Sequence, residues 1–245
     1  MGLNFEELDF AQTPYGELIL RRRRALSLEG AEVYEVKING EFLMSSLVNA
    51  SELALADLGL APLGDRARHV VVGGLGLGYT AVAALAHASV TEVVVVEALA
   101  EVIGWHERAL VPAGAELRDD PRCRFQHADF FARAREPDLG FDGTSPGRRF
   151  DAVLLDIDHS PAGLLHGSHA DFYEPAGLAL LSEHLHPGGV FALWSSEPPD
   201  DAFTARLGKS FASADAHAVE FFNPLLDRDD LNTVYVCRTK AARAD

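Results

Sequence analysis

His69-Val-Val-Val-Gly-Gly-Leu-Gly-Leu-Gly-Tyr-Thr80 is the stretch whose reading decides the fold. An apolar run of strand length passes straight into Gly73, Gly74, Gly76 and Gly78, and then into an alanine-rich helical pattern. A buried strand, a glycine turn and a helix N-terminus together hold a nucleotide-like ligand against backbone N–H groups. Gly74, Gly76 and Gly78 fit a G-x-G-x-G turn, and Gly76-Leu-Gly78-Tyr-Thr-Ala81 fits the alanine-ending form of the dinucleotide fingerprint. Helix–strand packing also uses glycine, so the turn alone implies a nucleotide-type cofactor without saying which.

Downstream, strand and helix patterns alternate. Val93-Val-Val-Val-Glu97 reads as a second buried strand, followed by a helix over 100–110. Cys123–Gln126 is a short third strand, Asp129 opens a short helix, and 136–149 is a Gly-, Pro- and Asp-rich loop. Phe150–Asp156 is the fourth strand, and 158–168, with its histidines, reads as a functional loop. A helix over 171–184 leads to the turn Pro187-Gly-Gly189 and to a fifth strand, 190–194. After a helix over 200–211, residues 216–222 and 233–237 read as closing strands. This alternation predicts an α/β fold, a doubly wound, mostly parallel sheet with an antiparallel edge.

Residues before this region differ. Short strand-like runs at 17–20, 33–38 and 42–44, with turn signals at Pro14-Tyr-Gly16, Glu29-Gly30 and Asn39-Gly40, predict a small antiparallel sheet. Such a sheet is too small to stand alone and must lie against the main domain or a second subunit. Its Arg21–Arg24 run reads as a solvated or edge-protecting strand segment. A helix over 51–60, capped by Ser51, completes an N-terminal appendage of residues 1–62, before a nucleotide-binding domain of residues 63–245.

The chain has 245 residues, 48% of them hydrophobic, which suits one domain with a small appendage. A formal net charge of −16 argues against a nucleic-acid partner, since phosphate affinity comes from clustered Lys and Arg. Cys123 and Cys237 make no disulfide framework, which points to a reducing cytoplasm. MGLNFEELDF has no signal-peptide pattern, and no apolar run reaches the roughly 18 residues of a membrane span.

Five acids at or just beyond strand ends extend the glycine signal. Glu97 lies 19 residues after Gly78, where a carboxylate accepts hydrogen bonds from two ribose hydroxyls. Asp129 is placed either to meet the exocyclic amine of an adenine or to cap a helix. Asp156 ends an apolar strand on the side that faces the ligand crevice. A protonated amine is no nucleophile, and a carboxylate there can orient it and take its proton. Asp158 reads as a second catalytic candidate or as a loop-ordering aspartate. Glu197 reads as a source of negative charge in a substrate pocket. His159, His166 and His169 fit no closed zinc pattern, and no metal site is expected.

In this order, the features resemble the spermidine synthase-like aminopropyltransferases, relatives of the class I S-adenosylmethionine methyltransferases. The resemblance runs from about Thr13 to Cys237 through VVVGGLGLG, VVVVEALAEVIGWHERAL, DPRCRFQHADFF, RRFDAVLLDID, FYEPAGLALLSEHLHPGGVFALWSSE and the closing FFNPLL and NTVYVCR. It implies a Rossmann-like, class I methyltransferase-like fold that binds S-adenosylmethionine or decarboxylated S-adenosylmethionine. Gly73, Gly74, Gly76 and Gly78 would form the cofactor turn, Glu97 would hold the ribose, Asp129 the adenine, and Asp156 would activate the attacking amine. His159 and Glu197 would face the acceptor, a small molecule such as an amine, and a homodimer is implied.

Three departures bear on the reaction. The family's aspartate inside the glycine turn, which binds the aminopropyl donor's amine, is Gly76 here. A second aspartate three residues after the catalytic one is His159, and Val48-Asn-Ala-Ser-Glu52 replaces a tyrosine–glutamine pattern. Each lost acid removes a charge-assisted hydrogen bond to a polycation. The sequence reading is therefore methyl or other alkyl transfer to a small nucleophile, with aminopropyl transfer as the alternative. An NAD-linked oxidoreductase and a catalytically silent binding protein are the readings from other classes.

Overall fold

A computed structural model describes residues 5–25, 28–64, 68–224 and 226–242. The first four residues of MGLNFEELDF and Leu225 of FFNPLL lie outside the described residues.

The chain opens with four antiparallel strands, β1 (Phe5–Thr13), β2 (Gly16–Ala25), β3 (Ala31–Ile38) and β4 (Glu41–Ser45), paired in that order. The sequence reading does not include β1, whose acidic FEELDFAQT shows no sustained apolar alternation, although Leu8 packs against the core. The arginine run departs from the edge-strand reading. β2 is paired on both sides, and Arg21 and Arg23 converge on Glu35 of β3, whose side chain is almost fully buried. Desolvation alone would raise the Glu35 pKa, but bonds and charge from Arg23 and Arg21 hold it below its usual value.

Helix α1 (Ala50–Leu60) follows. Its N-cap is Asn49, not Ser51. Ser51 is the second residue of the helix, where its hydroxyl bonds Glu52 rather than an end amide.

The larger sheet contains β5 (Arg68–Gly73), β6 (Val90–Glu97), β7 (Cys123–His127), β8 (Phe150–Leu155), β9 (Leu185–Ser195), β10 (Ser213–Asn223) and β11 (Arg228–Arg238). Their spatial order is β10-β11-β9-β8-β5-β6-β7. β7, β6, β5, β8 and β9 run parallel, while β11 and β10 are antiparallel to their neighbours. This is the expected doubly wound, mostly parallel sheet, Rossmann-like and class I methyltransferase-like. Val70–Val72 and Val93–Val96 are wholly buried, as strands covered on both faces must be. Each such side chain contributes roughly 1.5–3 kcal/mol on burial.

Helices α2 (Tyr79–Ala86), α3 (Ala100–Glu107), α4 (Gly114–Asp119), α5 (Phe130–Ala134), α6 (Pro175–Glu183) and α7 (Asp201–Leu207) connect the strands. The long helix expected over 171–184 is split. Residues Gly167–Tyr173 form a 3-10 turn, and α6 starts only at Pro175, whose missing N–H suits a first helical position. Pro187-Gly-Gly189 lies inside β9 as an irregularity in its pairing with β8 rather than before the strand. Gly188 takes φ +76° there, a value that favours glycine.

The small sheet lies on the main domain. Leu18, Leu20 and Val36 share one apolar core with Leu55 of α1, Val70 and Val72 of β5, and Val234 and Val236 of β11. Asp9 of β1 adds a polar tie, accepting from Trp105 Nε1 at 2.7 Å and from Arg108 at 2.6 Å. Among the described residues, no helix is long and apolar enough to cross a membrane.

Candidate active site

The chain runs β5 to β6 to β7 on one side, then crosses to β8 on the other. A crevice opens outside the C-terminal strand ends at such a reversal. Here it holds a cavity of about 340 Å³. Gly74, Gly76, Glu97, Asp129, Asp156 and His159 line it from the large sheet, and Tyr15, Val36, Asn39, Glu41, Phe42 and Met44 line it from the small one.

Gly74 and Gly76 reach this cavity, whereas Gly73 and Gly78 do not. A Cβ on Gly73 would meet the Phe130 ring at 2.6 Å, and one on Gly78 would meet Leu117 and His106 at 2.7 and 2.8 Å. These two glycines are required by packing, and Gly74 and Gly76 are the ones that reach the cavity. Gly74 has φ +92°, and a Cβ there would collide with the Asp156 carbonyl oxygen. That absent side chain lets the turn approach the end of β8. Gly76 takes φ +47°, and a Cβ there would face Met44 Sδ at 2.9 Å. Its carbonyl accepts from His106 Nε2 at 3.0 Å.

Glu97 ties the turn to β6. Its two carboxylate oxygens accept from Leu75 N at 2.9 Å and from Leu99 N at 2.8 Å. Desolvation raises its pKa against the lowering effect of these N–H donors. Asp129 caps α5, with Oδ1 accepting from Phe131 N at 2.8 Å and Ala132 N at 3.1 Å. It also lines the cavity, so capping leaves a carboxylate edge facing the space. The Tyr15 hydroxyl lies in the field of both acids; desolvation first, then Asp129 and Glu97, raise its pKa.

Asp156 sits directly after β8. Its backbone N donates to Gly73 O at 2.8 Å, and its Oδ2 accepts from Thr80 Oγ1 at 2.7 Å. Desolvation pushes its pKa up to about 6, with the Thr80 bond pulling the other way.

Asp158 does not join it. Asp158 is buried outside the cavity lining and bonded by Leu165 N at 2.7 Å, His169 Nδ1 at 2.9 Å and Tyr173 OH at 2.8 Å. Of the two readings of Asp158, these bonds favour the loop-ordering one, across residues 158–173. Desolvation and the Asp158 charge raise the Tyr173 pKa well above its ordinary value. Glu197 is exposed and absent from the lining, although Ser196 N beside it donates to the carbonyl of His159 at 2.7 Å. Glu197 therefore lies outside the cavity lining, next to the segment bonded to His159. His159 does line the cavity.

Sequence reasoning missed the roof and one acid. Glu41, Met44 and Tyr15 belong to the small sheet and its first turn, which the sequence places against the main domain or a second subunit without placing it over this crevice. Glu52, in the first turn of α1, is held by Ser51 Oγ at 3.0 Å, and Ser51 contacts the Asn232 amide at 2.9 Å. Desolvation, then the charge of Asp156, push the Glu52 pKa up to about 7. Its one sequence signal is an acid opening an otherwise apolar helix. Among the described residues, no group of three His, Cys, Asp or Glu side chains is arranged to hold a metal ion.

No family model matches the chain. Polyamine aminopropyltransferase 2 of Pseudomonas aeruginosa is 32% identical over 164 residues, which cover 61% of this chain and 40% of that relative. The chain thus matches less than half the length of the curated relative. A crystal structure of spermidine synthase from Thermotoga maritima superposes with a TM-score of 0.71 over 96% of this chain and 74% of that one, at 16% identity. A spermidine synthase in complex with the transition-state analogue AdoDATO gives 0.70 over 96% and 73%, also at 16% identity. At that identity these two likenesses speak for the fold. By sequence the chain resembles a polyamine aminopropyltransferase, and it folds as spermidine synthases do.

Proposed function

We propose that this chain is a transferase that moves an aminopropyl group from decarboxylated S-adenosylmethionine to a small amine. The observation that carries this is the charge of the cavity. Glu41, Glu97, Asp129 and Asp156 line it, and no Lys or Arg does among the described residues. Four carboxylates attract a sulfonium and an ammonium, whereas a donor that kept its own carboxylate would face acids without a cationic partner.

The residues fit such a donor. A cavity of about 340 Å³ lies within the range of small-molecule sites, roughly 300–1,000 Å³. Glu97 would accept from the ribose hydroxyls, and the free edge of Asp129 would accept from the adenine amine. Val96, Leu99 and Phe130 supply apolar walls for the base. The sulfonium supplies an electrophilic carbon: the acceptor nitrogen's lone pair forms the C–N bond as the C–S bond breaks and its electrons go to sulfur. Asp156 would orient the acceptor, take the proton that an ammonium must lose before attack, and pass it to solvent. Aligning nitrogen and carbon supplies much of the rate, so the protein's work is positioning. His159 is a second candidate contact for the acceptor.

The second reading is methyl transfer from S-adenosylmethionine. It draws on Gly76, where the turn offers no acid and faces Met44 of β4. Calorimetry with decarboxylated S-adenosylmethionine, S-adenosylmethionine and NAD, followed by mass spectrometry of the products formed with 1,4-diaminobutane, separates the readings. A tighter fit for the decarboxylated donor and an aminopropylated product are expected. Preference for S-adenosylmethionine with a methylated product would install the second reading. A homodimer belongs to the proposal too, supported by exposed Phe5, Phe10 and Phe42 on the small sheet. Sedimentation at micromolar concentration tests it.

A further inference from the structure

α3 carries two neighbouring side chains with different tasks. Trp105 lines the cavity and donates to Asp9 of the small sheet. His106 is fully buried and lies outside the lining, with its Nε2 3.0 Å from the Gly76 carbonyl oxygen. We infer that His106 is a positioning residue for the sulfonium cofactor: its imidazole pins the Gly76–Leu77 peptide and holds the glycine turn in the conformation that lines the cavity. This deepens the reading that an adenosyl sulfonium lies there, and rests on it for the identity of the ligand.

The turn is shaped around that ring. Gly76 accepts from Nε2, and a Cβ on Gly78 would meet Cε1, the carbon between the two ring nitrogens, at 2.8 Å. The ring also meets Phe125 of β7, with centroids 5.7 Å apart, and a Cβ on Gly114 would press on the His106 carbonyl oxygen at 3.1 Å. A carbonyl only accepts, so Nε2 carries the hydrogen and donates it. Nδ1 is buried and meets no hydrogen-bonding group among the described residues. Burial lowers the His106 pKa against the opposing effect of the Gly76 bond, so the ring is neutral at pH 7.

The bond matters because of the residue it acts on. Gly76 has φ +47°, and a glycine reaches many other backbone conformations. Because His106 lies outside the cavity, the carbonyl it holds points away from the ligand and toward α3. A turn fixed before the ligand arrives loses less freedom on binding, so the gain falls on affinity rather than on the chemical step. Packing alone does not call for an imidazole here. A leucine would fill the space without a buried nitrogen lacking a partner, and would lose only the grip on Gly76. With Trp105 gripping Asp9, consecutive residues of α3 hold both sides of the cavity.

The test begins in the free protein. With histidine labelled in 15N, His106 should show the neutral tautomer with its proton on Nε2 at pH 7. In His106→Leu, hydrogen exchange at the Gly78 amide, which bonds the Leu75 carbonyl at 2.8 Å, should quicken roughly tenfold, while Val70–Val72 of β5 keep their rates. Affinity for decarboxylated S-adenosylmethionine should fall about tenfold by calorimetry, with KM rising in step and kcat staying within about twofold. His106→Gln, whose amide can donate to the same carbonyl, should restore affinity to within about threefold, a rescue that a residue acting by packing would not give. His106→Phe keeps a ring and loses the donor, and repeats the comparison if the leucine variant does not fold. Unchanged exchange and affinity in the variants without a donor, or losses equal to those in His106→Gln, overturns the inference. A parent protein that binds no adenosyl ligand, with exchange at Gly78 still governed by His106, removes the cofactor reading and leaves the pinned turn standing.

Discussion

Thr80 Oγ1 donates to Asp156 Oδ2 at 2.7 Å, joining the first turn of α2 to the end of β8. The hydroxyl stabilises the ionised carboxylate, so it sets how far desolvation can raise the pKa. Thr80→Val keeps the shape and removes the donor. The Asp156 pKa should rise, and the acidic limb of kcat/KM should move to higher pH. A profile unchanged from that of the parent protein would show that the limb belongs to another group.

Asp156 also affects stability, with a definite sign. Its folded pKa, about 6, lies above its ordinary 3.8. Between those values the folded chain binds more protons than the unfolded one, so stability falls as pH rises through this window. Asp156→Asn removes that loss. It should stabilise the protein by on the order of 1–3 kcal/mol at pH 8 and by almost nothing below pH 4, while cutting turnover at least a hundredfold. Thermal melts at both pH values and an activity assay check it.

The two cavity glycines should respond differently to alanine. Gly74→Ala places a Cβ against the Asp156 carbonyl at a backbone angle that L residues avoid, and neither can yield. A loss of about 2–4 kcal/mol is expected, with donor binding lost as well. Gly76→Ala meets the flexible end of Met44 and should cost about 1 kcal/mol. Urea unfolding of both variants gives the comparison, and equal losses would contradict it.

Asp158→Ala should uncouple stability from chemistry. It leaves Leu165 N, His169 and Tyr173 without their shared acceptor, an expected cost of about 2–4 kcal/mol. His169 and Leu165 both line the cavity, so KM should rise severalfold through the loosened loop. kcat should change far less than in Asp156→Asn. A collapse of kcat at unchanged KM would return Asp158 to the chemistry.

Asp9→Ala tests the roof. It removes the acceptor of Trp105 and Arg108, and Trp105 lines the cavity. Donor affinity should fall about three- to tenfold, the equivalent of one modest hydrogen bond, while kcat stays within twofold. Calorimetry and steady-state rates measure both.

The large sheet was legible because its signals are local. Valine runs ending in Gly73 and Glu97, and an apolar run ending in Asp156, are written in consecutive residues. Glu97, Asp129 and Asp156 fell at strand ends for the same reason. What escaped depends on distant pairing. Glu35 is an ordinary acid in a strand until Arg21 and Arg23 close on it from the neighbouring one. Glu52 acquires meaning only when α1 lands beside Asp156. A motif position fixes where the backbone passes and not where the side chain turns: Asp158 turns into its own loop, and Glu197 lies exposed beside the lining.

Met44 touches the space above Gly76, and that meeting joins residues 32 positions apart from sheets that share no strand. The cavity is therefore a seam, with one lip made by residues between Tyr15 and Met44 and the other by residues from Gly74 to as late as His169. During synthesis the first lip waits for most of the chain before it has anything to close upon. A molecule lying in the seam grips both lips, so binding should act as a clasp that resists peeling of the small sheet. The same clasp would make occupancy, rather than sequence alone, decide how firmly the two ends of this protein are held together.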